Sequence, residues 1–189
     1  MKRSTIRFMF GIYVVLGLII LGMGVFAYKQ SQDISTYARA YQNIQSLSHI
    51  GDYDSTHEHA DFLMYINGRQ IDFTKEEYQE RHTLVHLETP DVSPFVIHTH
   101  ATGIPYGMFF ETIGIDLGDC LVINEKEFCD GNGRSIKYYV NGKIVPDLAH
   151  TEINDLDKML ISYGAESVTE IQLQLNSIGN HACEQSGKC

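Results

Sequence analysis

The chain has 189 residues, 43% of them apolar and 20% charged, with no tryptophan and a formal charge of −10. That length suits one folded domain with an appendage. It excludes a large metalloenzyme barrel or a full two-domain enzyme, and the apolar share excludes wholesale disorder. Lys2, Arg3, Arg7 and Lys29 make the first 29 residues +4 and leave −14 on the rest, a body without the basic footprint that a nucleic-acid partner needs.

Phe8 to Tyr28 is a run of 21 residues without a charge. As a helix it is ~31 Å long, about the thickness of a hydrocarbon core, which makes the lipid bilayer its partner through residues 8–28. The basic residues before it predict a single-pass cell-membrane protein with a cytoplasmic N-terminus and an extracytoplasmic C-terminal domain. The competing reading is a cleaved signal peptide. Its apolar core would exceed the usual span of about 7–15 residues. The small-residue candidate Ala38-Arg39-Ala40 lies too far beyond Tyr28, so the uncleaved anchor is preferred. Residues 30–56 are polar and read as a juxtamembrane stalk, helical from Asp33 to Ser46. The domains are therefore 1–29, 30–56 and 57–189.

From His59 the pattern turns to alternation. Asn67-Gly68 between alternating runs predicts a two-residue hairpin, with Ala60, Phe62, Met64, Ile66, Ile71 and Phe73 on a core face and His57, His59, Asp61, Leu63 and Tyr65 on the other. Thr83–Leu87 and Phe95–Thr99 read as strands separated by Pro90 and Pro94. Tyr106–Ile113 reads as a short helix stopped by Gly114, and Cys120–Ile123 as a strand. A second Asn-Gly hairpin is expected at Asn141-Gly142, followed by the apolar segment Met159–Ile161. Ser167 and Glu170 form a capping-box pattern, with Val168, Ile171, Leu175 and Ile178 at helical spacing behind it. The fold class is α+β: a transmembrane helix, then a strand-rich domain with two hairpins, a short central helix and a C-terminal amphipathic helix.

The four cysteines contain no Cys-x-x-Cys pair. An even count in an extracytoplasmic domain points to disulfides, and of the three possible pairings the nearest-neighbour one, Cys120 with Cys129 and Cys183 with Cys189, is favoured. Five of the nine histidines form a pattern: His57-Glu-His59, His86-Leu-Glu88 and His98-Thr-His100. Residues i and i+2 of a strand share a face, so each His-x-His offers two imidazoles about 7 Å apart on one side. With an even register between their strands, His86, Glu88, His98 and His100 share a face opposite Val85, Leu87, Ile97 and Thr99. His57, His59, His86, His98 and His100 are thus the candidate metal ligands, with zinc as first choice and copper as second. Glu58, Asp61 and Glu88 are open as further members, and no cofactor beyond the metal is called for.

Sharper motifs fail. His57-x-His59-x-Asp61 matches the metallo-β-lactamase pattern until Phe62. A cupin needs a glutamate soon after His98-x-His100, where this chain has Gly103-Ile-Pro105. Similarity to the three-His zinc site of carbonic anhydrases stops at ligand type. Asp130–Ser135 lacks the glycine and the closing glutamate of an EF-hand loop.

His57-Glu-His-Ala-Asp-Phe62, Ile66-Asn-Gly68, Val96-Ile-His-Thr-His-Ala101, Gly107-Met-Phe-Phe110, Tyr139-Val-Asn-Gly-Lys143 and Leu160-Ile-Ser-Tyr-Gly164 together are similar to uncharacterised single-span His-x-His proteins of archaea and environmental bacteria. Those proteins carry no established activity and read His-Leu-His where this chain has His86-Leu-Glu88. The resemblance implies that the histidine pairs belong to one site. Three functions stay open on the sequence: a membrane-anchored protein that holds or delivers metal, a zinc hydrolase or hydratase using Glu58 or Glu88 as base, and an interaction domain with incidental histidines. No protein partner, substrate or catalytic residue is legible.

Overall fold

The computed structural model describes residues 3–79, 81–87 and 94–189. Glu88 and Pro90 lie outside the described residues. The first element is one unbroken helix, α1 (Arg3–Ser48), of 46 residues. Its Met9–Arg39 portion is long and apolar enough to cross a membrane. A helix satisfies its own backbone hydrogen bonds, which lipid cannot do for it. The helix continues through the stalk region, on both sides of the expected Asp33–Ser46 stretch.

His49–Cys189 form a separate compact unit. It starts earlier than the expected boundary at residue 57, because the segment after His49 is tied down. The Gly51 N–H donates to the Thr102 carbonyl at 2.9 Å, and the Thr102 N–H donates to Ser55 Oγ at 3.0 Å. Gly103 has φ +76°, and a Cβ there would stand 2.4 Å from the His49 carbonyl oxygen. Only glycine fits that approach.

The strands are β1 (Glu58–Ile66), β2 (Arg69–Gln70), β3 (Val85–Leu87), β4 (Val96–Thr99), β5 (Ile115–Leu117), β6 (Cys120–Ile123), β7 (Lys126–Cys129), β8 (Ser135–Val140), β9 (Lys143–Ile144) and β10 (Lys158–Gly164). The main sheet runs β3-β4-β1-β10-β8-β9, with β2 paired to β1, and β5-β6-β7 form a second sheet. Asn67 and Gly68 both have positive φ, as an Asn-Gly turn requires, and Ile66 faces Arg69 across it. Asn141 and Gly142 do the same between β8 and β9, with Val140 facing Lys143. β1 and β10 are parallel, Phe62 beside Met159 and Met64 beside Ile161. Both are central strands.

The core-face residues Ala60, Phe62, Met64 and Phe73 are fully buried, together with Val85, Leu87, Ile97 and, from the helix α2 (Tyr106–Thr112), Tyr106, Phe109 and Phe110. The other face of the sheet is not left to solvent. Leu63 and Leu160 pack there with Ile171 and Ile178, from α3 (Val168–Asn176) and the turn after it. Val168, expected on that buried face, is 88% exposed, and Ile171 and Gln174 are the buried residues of the helix. A short further helix, α4 (His181–Gln185), had no periodic signal in the sequence and packs beside β1.

Two features give direct stability tests. Ser167 caps α3 by accepting the Glu170 N–H, while the Glu170 carboxylate accepts the Ser167 N–H at 2.7 Å. Ser167→Ala should cost about 1 kcal/mol in denaturant unfolding, the usual value of a lost cap. The described cysteines form Cys120–Cys129, across β6 and β7, and Cys183–Cys189, with no free thiol. Opening the Cys120–Cys129 loop by a double serine substitution should cost roughly 2–3 kcal/mol, read from the same unfolding curves.

Candidate metal centre

β3, β4 and β1 are neighbours, and their registers put three histidines in one row. His98 stands opposite His59 on one side and opposite His86 on the other. His57 and His100 lie two residues along from His59 and His98, so they project from the same face. Five imidazoles therefore converge from three neighbouring strands and the residues that flank them. The alternate residues Ala60, Val85, Leu87, Ile97 and Thr99 point the other way and are buried. Their burial against the core fixes the strand faces, and so aims the histidines.

The rings touch. Centroids are 4.1 Å apart for His59 and His98, 4.5 Å for His57 and His98, and 5.0 Å for His57 and His100. His57, His59 and His98 each offer a nitrogen within 4.8 Å of the others, and so do His86, His98 and His100. His59 and His98 are buried, at 4% and 8% exposure, and His57 is exposed. The His57 and His98 Nε2 atoms are 2.9 Å apart. Two nitrogens on one tetrahedral ion bonded at about 2.0–2.1 Å stand roughly 3.3 Å apart, so a small outward swing of either ring admits an ion.

Partners behind the rings set their tautomers. The His82 carbonyl lies 3.0 Å from His86 Nδ1. A carbonyl only accepts, so Nδ1 carries the proton and Nε2 the lone pair. His59 Nδ1 is 2.9 Å from Ser186 Oγ, which donates to Asp155 at 3.4 Å. With the serine proton spent on Asp155, His59 donates from Nδ1 and again presents the Nε2 lone pair. Outer partners of this kind orient metal-binding imidazoles. Burial opposes ionisation of Asp155. Hydrogen bonds from the Lys188 ammonium, the His59 N–H and Ser186 outweigh it and hold the carboxyl below the usual carboxylate range.

Of the carboxylates considered from sequence, Glu58 and Asp61 take no part in this convergence, and Glu88 lies outside the described residues. Glu58 alternates onto the face of Ala60, away from the histidines. Asp61 shares the histidine face, yet its carboxylate accepts the N–H groups of His181 and Ala182 at 3.1 and 3.2 Å. Burial pushes its pKa up, and those two N–H groups pull against the rise. Of the remaining histidines, His150 is exposed and bonded to Asp147 at 2.9 Å, and His181 lies 3.6 Å from Glu184. Ser186, Asp155 and the His82 carbonyl were missed by sequence reading. No local spacing links His59 to a serine 127 residues away.

Chemically, the cluster is a set of imidazole nitrogen donors with an outer hydrogen-bonded layer, and its buried histidines are compatible with binding a metal ion. No family model, no curated protein and no solved structure matches this chain.

Proposed function

We propose that this protein is a membrane-anchored, extracytoplasmic metal-binding protein that holds or delivers zinc or copper through its histidine cluster. The observation that carries the reading is the convergence of His57, His59 and His98 to within 4.8 Å of one another from two paired strands. His86 and His100 extend the donor set. Imidazole nitrogens serve both metals, and a site of this donor type suits zinc first and copper second. The apolar helix supports anchoring in a bilayer. The basic residues ahead of it support a cytoplasmic N-terminus, and two disulfides support an oxidising compartment for the rest. The resemblance of its motifs to single-span His-x-His proteins is in keeping with this reading.

The metal content of the full chain, purified in mild detergent without a histidine tag and dialysed against zinc or copper, tests the proposal. About one equivalent of tightly held metal is expected, as for a three- or four-ligand site. Metal lost to buffer dialysis alone would reduce the histidines to a hydrogen-bonded cluster.

A further inference from the structure

The five imidazoles form two triads that overlap at His98: His57–His59–His98 and His86–His98–His100. The two are not alike. Around a tetrahedral ion bonded at about 2.0–2.1 Å, imidazole ring centres stand roughly 5.2 Å apart. In the second triad the centroid distances are 5.5, 5.3 and 5.2 Å, which is that spacing with almost no adjustment. In the first they are drawn in to 5.1, 4.5 and 4.1 Å, around the contact of the His57 and His98 Nε2 atoms. His86 already has its Nε2 lone pair selected by the His82 carbonyl. His86 and His100 also line a cleft of about 280 Å³ whose other walls are Tyr53, Arg81, His82 and Thr83.

We propose that His86–His98–His100 is a second metal position whose fourth coordination place opens on this cleft, and that a single divalent ion passes between it and His57–His59–His98 with His98 as the common ligand. This rests on the reading of the cluster as a metal carrier and adds the route by which metal enters and leaves. A neutral imidazole has one lone pair and holds one ion, so the two positions exclude each other. Three protein ligands with an open fourth place is the arrangement of sites that exchange a ligand, whereas four protein ligands close a site. The Arg81 guanidinium at the cleft suits an anionic donor, such as the carboxylate of a group that gives up or accepts the ion.

The test uses the full chain in detergent and zinc alone, by equilibrium dialysis. Wild-type protein should hold one equivalent. The double variants His57→Ala/His59→Ala and His86→Ala/His100→Ala should each still hold one, and because the association constants of two exclusive positions add up to that of the wild type, at least one variant should stay within about twofold of it. Two equivalents in the wild type would overturn mutual exclusion. No binding in the His57/His59 variant would overturn the second position and leave the first standing. No zinc on the wild type would instead remove the carrier reading itself. Footprinting of the unmodified chain with diethylpyrocarbonate avoids any question of misfolded variants. Zinc should slow modification of both His57 and His86, and an unchanged rate at His86 would overturn the second position.

Discussion

Alanine at His98 is expected to abolish zinc retention, while alanine at His150 leaves it unchanged. His98 is central in the row His59–His98–His86 and belongs to both triads. Loss of an outer-layer partner alone typically lowers metal affinity about 10- to 100-fold, so loss of the shared ligand should exceed roughly 100-fold. His150 is exposed and engaged with Asp147, outside the strands that carry the cluster. The His98 ring lies on the sheet face opposite the Phe62 core, so the variant should retain its fold, as near-ultraviolet circular dichroism would report. Zinc held at one equivalent with undiminished affinity in His98→Ala would refute the assignment of the cluster.

The largest loss of stability should follow Phe62→Ala. Phe62 is fully buried at the centre of β1, with ring centroids 4.9 Å from Phe73, 5.6 Å from Phe109 and 6.0 Å from Phe110. Three aromatic neighbours from a loop and from α2 lose their common surface together, and a helix packed on a sheet cannot collapse fully into the gap. Removal of such a ring typically costs about 3–5 kcal/mol. Urea unfolding measures it directly, and a cost below about 1 kcal/mol would contradict the packing of α2 on β1. The substitution lies on the face away from the histidines, so metal binding by the protein that remains folded should be retained.

The histidine face was legible because two constraints coincide there. His57-x-His59 and His98-x-His100 alternate with residues that must be buried, and alternation allows only two faces. That logic separated His86 and His98 from Val85, Leu87 and Ile97 before any register was known. The capping box at Ser167 was legible for a similar reason, since its signal spans four residues. The parallel pairing of β1 with β10 was not, because neither strand carries a local mark of its partner. The Ser186–Asp155 support of His59 was hidden by the same distance in sequence. α4, with five residues, is too short to develop a helical period. Val168 shows the opposite failure, a residue that fits the helical spacing yet stands in solvent.

The strand order sets a timetable for assembly. β1 emerges early in the chain, but its parallel neighbour, β10, follows only after every other strand has been made. Pairings between such distant segments must close a long loop before they return any stabilisation, which makes them slow. Until β10 arrives, Phe62 and Met64 have no parallel partner, and the Ser186 that steadies His59 has not yet been added to the growing chain. During that interval all five histidines have been made, but Asp155 and Ser186, which stand behind His59, have yet to follow. The hydrogen-bonded layer behind His59 is therefore the last part of the cluster to be completed, after the chain has supplied its central sheet.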